Sequence, residues 1–241
     1  MQYKTRGIVL HSIPYKDNYS IVSVYTEEFG RASYMVPRGK SKKAAASKAL
    51  FMPLAVLDMD VEHMPKRDVH KVKECRFCFP QSDVFCHPVK NILALFLAEV
   101  LYRTLKNPEP DTSLFNYIYN SIVTLETSED GIANFHIVFL FNLLHYLGIY
   151  PNTELQKEDS YFDLLNGEFT LLPPQHRHFL SQQESRVFSR LLRMSFENMS
   201  LYGFSHHERV NIINRIFEYY RLHIPDFNEI KSLSVMQSLF E

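Results

Sequence analysis

The sequence predicts an α+β protein in which a small β barrel is followed by an all-α domain. Apolar and polar residues alternate with a strand-like period over the first eighty residues, and after Pro88 the apolar positions take the spacing of helices. Charge also divides the chain. Residues 1–80 carry 14 Lys/Arg and 8 Asp/Glu, a net of +6, whereas the remaining residues carry 12 and 19, a net of −7. We therefore expect two domains, at residues 1–80 and 81–241.

Turn signals divide the first domain into five expected strands, at residues 3–12, 21–26, 31–36, 50–62 and 69–79. Pro53 predicts an edge or a bulge near the start of the fourth strand, because proline cannot donate a hydrogen bond to a sheet. Five short antiparallel strands fit a small barrel that is closed or partly open. The OB-fold is the nucleic-acid-binding example of such a barrel, although an SH3-like barrel fits the strand count nearly as well.

The second domain is predicted to be helical, with one small hairpin. Helices are expected at residues 89–105, 113–125, 133–147 and 182–196. Ser205 and Glu208 have the spacing of a capping box, which opens a further helix that runs to about residue 222. Asn166-Gly167 lies between two apolar stretches, so a β hairpin is predicted within an insertion at about residues 152–174.

A basic segment follows the third predicted strand. No acidic residue lies between Phe29 and Leu57, and this stretch carries six cations: Arg31, Arg38, Lys40, Lys42, Lys43 and Lys48. Such a patch suits phosphate, although acidic proteins and membrane surfaces also attract basic patches, and a solvated loop needs lysines for solubility. Aromatic residues interleave with the cations, as in sites that bind single strands, but we expect them in the barrel core: Tyr25, Phe29, Tyr34 and Phe51.

Motifs for nucleotide chemistry are incomplete in this sequence. Gly39-Lys40-Ser41 resembles the end of a phosphate-binding loop, but Tyr34 stands where that loop needs a glycine. The chain has no G-x-G-x-x-G and no G-x-S-x-G pattern, so the usual grounds for an ATPase, a dehydrogenase or a hydrolase are missing. The longest apolar run, residues 92–101, is about half of a membrane span. We expect a cytoplasmic protein that does not contact membranes.

Cysteine and histidine supply one weak candidate for a metal site. Cys75 and Cys78 have the spacing of half a zinc site, and Cys86 with His87 could complete it. No glycine forms a knuckle between the cysteines, and on a regular strand they point to opposite faces. We therefore expect free thiols, no metal and no cofactor.

Several segments, in order along the chain, resemble one bacterial family. These are KTRGIVL at residues 4–10, YTEEFGR at 25–31, ALFMPL at 49–54, LAEVLYR at 97–103, LGIYPN at 147–152 and Ser232-Leu233. In combination they resemble the RecO family of recombination and repair proteins, in its Bacteroidetes-type form. The resemblance covers nearly the whole chain.

The resemblance implies an N-terminal OB-fold, a helical C-terminal domain and a role without catalysis. It implies binding of single- and double-stranded DNA, annealing of complementary strands, and action with RecR and the single-stranded DNA-binding protein to load recombinase at the nucleoid. Family members often carry zinc between two cysteine pairs that flank a hairpin like Tyr161-Phe162-Asp163. This chain has no cysteine at residues 155–158 or 170–174, so we expect the hairpin to be held by packing and not by metal.

Nine cations are the predicted DNA contacts: Arg6, Arg31, Arg38, Lys40, Lys42, Lys43, Lys48, Lys71 and Lys73. The resemblance further implies that the helical domain receives the acidic C-terminal tail of the single-stranded DNA-binding protein, for which the candidates are Arg186, Arg190 and Arg193. Two alternatives remain. In one, the chain is an interaction scaffold whose basic loop binds an acidic protein. In the other, it is an enzyme that uses the cysteines and His87 with a bound metal.

Overall fold

The computed structural model describes residues 1–38, 49–64, 66–106 and 109–238. Within them the chain forms two compact units. The first contains Met1–Thr127 together with the C-terminal segment that begins at Ile230, and the second contains Ser128–Glu229. In the described part of the chain, no helix combines the length and the apolar character needed to cross a bilayer.

The first unit begins with a closed five-stranded barrel. Its strands are β1 (Gln2–Tyr15), β2 (Tyr19–Thr26), β3 (Gly30–Pro37), β4 (Val56–Glu62) and β5 (Val69–Phe77). Their order around the barrel is β1-β2-β3-β5-β4, and every neighbouring pair is antiparallel except β3 with β5. This closure through a parallel β3–β5 pair is the arrangement of the OB-fold. It confirms the OB-fold prediction and decides against an SH3-like barrel.

The fourth strand is shorter than predicted. It begins at Val56 and not at residue 50, because the preceding residues form local turns: Met52 N–H donates to the Ala49 carbonyl and Ala55 N–H to the Met52 carbonyl. Leu54 takes a left-handed conformation with φ at 61°, which no regular strand allows. The expected irregularity near Pro53 is therefore a set of turns before the strand.

Alternating side chains of the strands fill the barrel. The interior includes Val9, Val22, Val24, Tyr34, Leu57, Met59 and Val61, all of which are almost completely buried. Gly7 on β1 lets this interior close, because a Cβ atom there would lie 2.6 Å from Val24 Cγ1 and 2.7 Å from Met59 Sδ. A side chain at position 7 would therefore have to displace packed core atoms.

Three helices of the first unit follow the barrel, namely α1 (Ser82–Cys86), α2 (Pro88–Thr104) and α3 (Thr112–Thr127). Buried Lys90 on α2 donates to the Glu126 carbonyl at the end of α3 (2.7 Å) and to Asp83 on α1 (3.2 Å). The Glu126 carboxylate in turn accepts the N–H groups of Asp83 and Val84. Lys90 thus lies at the carboxyl end of α3, and the Glu126 carboxylate lies at the amino end of α1. Each charge is opposite in sign to the end of the helix dipole that it contacts.

The second unit contains α4 (Ile132–Tyr146), a small sheet, α5 (Gln182–Leu191) and α6 (His206–His223). The sheet has the order β7-β6-β8, formed by β6 (Tyr161–Asp163), β7 (Glu168–Thr170) and β8 (Phe179–Leu180). β6 and β7 form the predicted hairpin across Asn166-Gly167. Ser205 and Glu208 make both bonds of the predicted capping box at α6, whereas α5 ends at Leu191, earlier than predicted.

The C-terminal helix α7 (Leu233–Ser238) returns to the first unit. The Glu99 carboxylate on α2 accepts hydrogen bonds from Lys231 N–H at 3.0 Å, Ser232 N–H at 2.9 Å and Ser232 Oγ at 2.6 Å. These bonds hold the pKa of Glu99 below its usual value although burial raises it. Glu99, which interrupts the apolar run of α2, therefore anchors the start of α7.

Candidate nucleic-acid interface

Four cationic side chains lie near one end of the barrel, where the β1–β2 turn meets the end of β3. Lys16 is in the turn and Arg38 follows β3 directly, and Arg38 N–H donates to the Asn18 carbonyl at 2.6 Å, which joins the two segments. The parallel pairing of β3 with β5 brings Lys71 and Lys73 toward the same end. We call Lys16, Arg38, Lys71 and Lys73 the cationic end of the barrel.

The side chains of the cationic end are accessible to a ligand. All four residues are exposed, and Lys16, Arg38 and Lys71 form no ion pair with another described residue. Lys73 Nζ lies 3.4 Å from the Glu62 carboxylate, with about half of the lysine side chain in solvent. A surface pair of this kind contributes little to stability, so a phosphate can compete with Glu62 for Lys73.

Arg6 and Arg31, by contrast, are engaged within the protein. Arg6 forms a two-pronged pair with Glu27 at 2.6 and 2.8 Å, and this hydrogen bonding raises the pKa of Arg6 above its usual value. Arg31 donates to the carbonyl oxygens of Tyr102 and Leu105 at the end of α2, at 2.9 and 3.0 Å. Its guanidinium carbon lies 4.2 Å from the Tyr102 ring centroid. Both arginines therefore already have intramolecular partners, which weakens the grounds for assigning them to phosphate.

Another part of the barrel surface, on β4 and the middle of β5, is acidic. Asp58 and Asp60 of β4 face outward, and β5 adds Glu74 directly opposite Asp60. We call these three residues the acidic face. They border a groove of about 610 Å³ in which five carboxylates outnumber the three cations Lys4, Arg6 and Arg76. This groove would repel a polyanion.

The predicted aromatic candidates belong to the protein interior or pack against it. Tyr25 and Tyr34 are almost completely buried, and Tyr25 stacks on Phe115 of α3. Phe29 stacks on His63 with ring centroids 4.0 Å apart, and Phe51 packs against the barrel core. The expectation of core packing is confirmed for Tyr25 and Tyr34, and Phe29 and Phe51 are partly buried against that core.

Two other tyrosines, which sequence reasoning missed, are exposed beside the cationic end. Tyr15 and Tyr19 lie opposite each other at the tip of the β1–β2 hairpin, with exposed fractions of 38% and 42%. Lys16 Nζ lies 5.3 Å from the Tyr15 ring centroid. The signal was present as Tyr15-Lys16-Asp17-Asn18-Tyr19, a turn flanked by two aromatics and containing a cation.

Four predicted contacts lie outside the described residues, in the segment that follows Arg38: Lys40, Lys42, Lys43 and Lys48. Their assignment to DNA stays a prediction. The last described residue before this segment is Arg38, which belongs to the cationic end.

Comparison with known proteins identifies the family. Residues 1–80 match the model of the N-terminal domain of Recombination protein O, and residues 87–233 match the model of its C-terminal domain. The chain belongs to the RecO family. It is 42% identical to the DNA repair protein RecO of Azobacteroides pseudotrichonymphae over 241 residues, and 41% identical to that of Bacteroides fragilis over 242 residues. Both matches cover the full length of each chain, as does a 30% match to the RecO protein of Flavobacterium johnsoniae. A role in recombinational DNA repair follows from this membership.

The hairpin of this RecO chain is closed by hydrogen bonds and aromatic packing. Asp163 accepts bonds from Leu165 N–H, Asn166 N–H and Asn166 Nδ2, and it contacts His176 Nε2 at 3.2 Å. Although burial raises the pKa of Asp163, these bonds hold it below its usual value. Phe162 packs on Phe169, Phe188 and Tyr219. The sequence predicted that packing holds the hairpin. It did not predict the hydrogen bonds that the Asp163 carboxylate accepts.

The three cysteines do not form a metal site with other described residues. No group of three or more His, Cys, Asp or Glu side chains in the described ranges is arranged to hold a metal ion. Cys78 Sγ donates to Asp58 at 3.3 Å, and burial, with that bond, raises the pKa of Cys78 to about 12. A thiol held protonated in this way is a poor metal ligand and a poor nucleophile.

The three candidate partner arginines occupy α5 and the residues directly after it. Arg186 is paired with Asp159 at 2.7 Å, whereas the Arg190 guanidinium lies over the rings of Tyr202 and Phe204 at 5.6 and 4.8 Å. Arg190 and Arg193 are both exposed. Of the three, Arg190 combines an exposed cation with adjacent aromatic surface.

Proposed function

We propose that this RecO chain is a recombination mediator that binds single- and double-stranded DNA and anneals complementary strands. It would act with RecR and the single-stranded DNA-binding protein to load recombinase. The observation that supports this most strongly is the cationic end of the barrel, from which a segment with four further lysines departs. The binding contacts would be Arg38, Lys71 and Lys73, joined by Lys16 and by the four lysines of that segment.

Electrostatics explain why such a surface suits annealing. Two complementary strands repel each other, and cations between them release condensed counterions and lower the repulsion. Contacts to the phosphate backbone carry no sequence information, which suits a repair protein that must act at any sequence. The acidic face would keep DNA from the other side of the barrel.

In the second unit, we propose that Arg190 is a contact for the acidic C-terminal tail of the single-stranded DNA-binding protein. A carboxylate could pair with the guanidinium while an apolar side chain of the tail packs on Tyr202 and Phe204. Arg193 is exposed on the same segment, whereas Arg186 already has Asp159 as a partner. Arg190→Glu should weaken binding of a labelled tail peptide, and Arg186→Glu should weaken it less.

An annealing assay tests the main proposal. The wild-type chain should accelerate the pairing of complementary oligonucleotides, both when they are bare and when the single-stranded DNA-binding protein coats them. A variant with Arg38→Glu and Lys71→Glu should lose most of this acceleration. The matched control is Lys4→Glu with Arg76→Glu, which makes the same charge change beside the acidic face and should anneal like wild type.

Two results would contradict the proposal. If the wild-type chain neither binds nor anneals DNA, the basic surface serves another ligand, and an acidic protein partner becomes the better explanation. If the Lys4→Glu and Arg76→Glu control is as impaired as the Arg38→Glu and Lys71→Glu variant, the location of the DNA contacts is wrong.

A further inference from the structure

An exposed apolar strip crosses the barrel surface between the cations of the cationic end. Cross-strand pairing defines it, because directly paired residues point to the same face of a sheet. Ile13 pairs with Ile21 and Ile21 with Met35, and one step nearer the hairpin tip Tyr15 pairs with Tyr19 and Tyr19 with Pro37. The two rows are about 7 Å apart along the strands. We call these six residues the tyrosine strip.

The tyrosine strip is open to solvent. The neighbours of Met35 on β3, Tyr34 and Val36, are buried in the barrel, so Met35 faces outward. The exposed fraction of Ile13 is 47%, beside the two exposed tyrosines. Isolated apolar residues on a surface need no explanation, but a strip that spans three strands indicates a ligand with apolar faces.

Three cations border the strip. Lys16 lies at the hairpin tip beside Tyr15, Arg38 follows Pro37, and Lys71 pairs with Met35 across the parallel ladder. The ligand must therefore carry apolar faces and negative charges together. Unpaired nucleotides do so, since each base offers a flat face for stacking and each phosphate a charge.

We propose that the tyrosine strip stacks unpaired DNA bases and makes the barrel prefer single strands to duplex. The proposal rests on the proposed function, because it takes the cationic end to hold the phosphates. In a duplex the base faces are covered by their neighbours, so only the cations can contribute there. Tyr15 and Tyr19 thus determine strand specificity, while the cations bind both forms of DNA.

Binding measurements by fluorescence anisotropy test this directly. The probes are an oligothymidine strand, a strand of the same length without bases, and a duplex. The test variant is Tyr15→Leu with Tyr19→Leu, which keeps apolar volume but removes the rings. It should bind oligothymidine about 10-fold or more weakly than wild type, with duplex and abasic affinities unchanged.

Two controls accompany that variant. Tyr15→Phe with Tyr19→Phe keeps the rings and should bind oligothymidine like wild type. Tyr150→Leu removes a tyrosine of similar exposure, 39%, from the second unit and should change nothing.

Three outcomes would overturn the strip's assignment. If the leucine variant binds oligothymidine like wild type, the strip does not stack bases, although the cationic end could still bind DNA. If wild type binds none of the three probes, the proposed function fails with it. If the leucine variant changes a dimer into a monomer in sedimentation, the strip is instead an interface between copies of the chain.

Discussion

The two sides of the barrel are built from the same five strands but carry opposite charge. At the cationic end, Lys71 and Lys73 of β5 lie with Arg38 and Lys16, and Glu62 at the end of β4 pairs with Lys73 at 3.4 Å. On the acidic face, Asp58 and Asp60 of β4 face outward, and β5 turns acidic at Glu74. The net charge of the domain hides this division. A basic sequence segment therefore indicates a polyanion ligand, but only the strand register tells which side of the barrel can receive it.

The largest expected effect comes from the lysines that follow Arg38 in the sequence. Substituting Lys40, Lys42 and Lys43 by Glu should weaken single-strand binding about 100-fold or more at low salt. It should lower the slope of log affinity against log salt by about 2, since three phosphate contacts are lost. Fluorescence anisotropy across a salt series measures both quantities. An unchanged slope would remove this segment from the binding surface.

β1 contributes to both sides of the barrel. Substituting its Gly7 should lower stability more than substituting a charged residue on either side. Gly7→Ala should lower the free energy of unfolding by about 1–3 kcal/mol, because the new Cβ meets Val24 and Met59 in a packed core. Gly203→Ala is the control, since nothing lies within 4 Å of its added Cβ, and it should change stability by less than about 0.5 kcal/mol. Urea denaturation compares the two. Equal stabilities of the variants would show that the barrel can relax around position 7.

The cations of the cationic end are exposed, whereas His136 in the second unit is completely buried. This burial predicts that the stability of the second unit depends on pH. Burial lowers the pKa of His136 to about 3, from 6.5 in the unfolded chain. The unfolded state then binds more protons, so His136 contributes full stability above about pH 6.5 and loses it progressively as the pH falls toward 3. At about pH 5.5 the loss should be about 1 kcal/mol.

Chemical denaturation at several pH values measures this loss. Far-UV circular dichroism is the signal, because the chain has no Trp for fluorescence. The fall should be shallower in His136→Phe, even if that variant is less stable overall. A stability that rises on acidification would contradict the buried, neutral state of His136.

The smallest expected effect is on the acidic face itself. Substituting Asp60→Asn and Glu74→Gln should strengthen DNA binding by only about 2-fold, because Glu74 is exposed, Asp60 is half-buried and bonded to Gln2, and salt screens both charges. Affinity at low salt is the measurement. If affinity rises by as much as it falls when Lys40, Lys42 and Lys43 are replaced by Glu, DNA reaches the acidic face.

Much of the fold followed from sequence patterns that act locally. Strand alternation located all five barrel strands, and the Ser205–Glu208 spacing located the start of α6. The failures came where local geometry competed with the pattern. Apolar residues before Val56 looked like a strand, yet Leu54 in a left-handed conformation ends the extended backbone there.

The candidate site was harder to predict because charge alone does not reveal an intramolecular partner. Arg6 and Arg31 stand in a basic sequence context, but their partners Glu27, Tyr102 and Leu105 become neighbours only in the folded chain. Tyr15 and Tyr19 were missed for the opposite reason. Both lie between the predicted strands at residues 3–12 and 21–26, and only the extension of β1 to Tyr15 and of β2 to Tyr19 brings them together as a cross-strand pair.

Binding of single-stranded DNA as a function of salt, compared between two charge-matched variants, tests most directly whether the cationic end holds the phosphates. One variant carries Arg38→Glu and Lys71→Glu, and the other carries Lys4→Glu and Arg76→Glu, beside the acidic groove. The first should lower the slope of log affinity against log salt by about 1 to 2 and bind weakly, while the second keeps the wild-type slope. Equal slopes in the two variants would contradict the assignment of DNA to one end of the barrel.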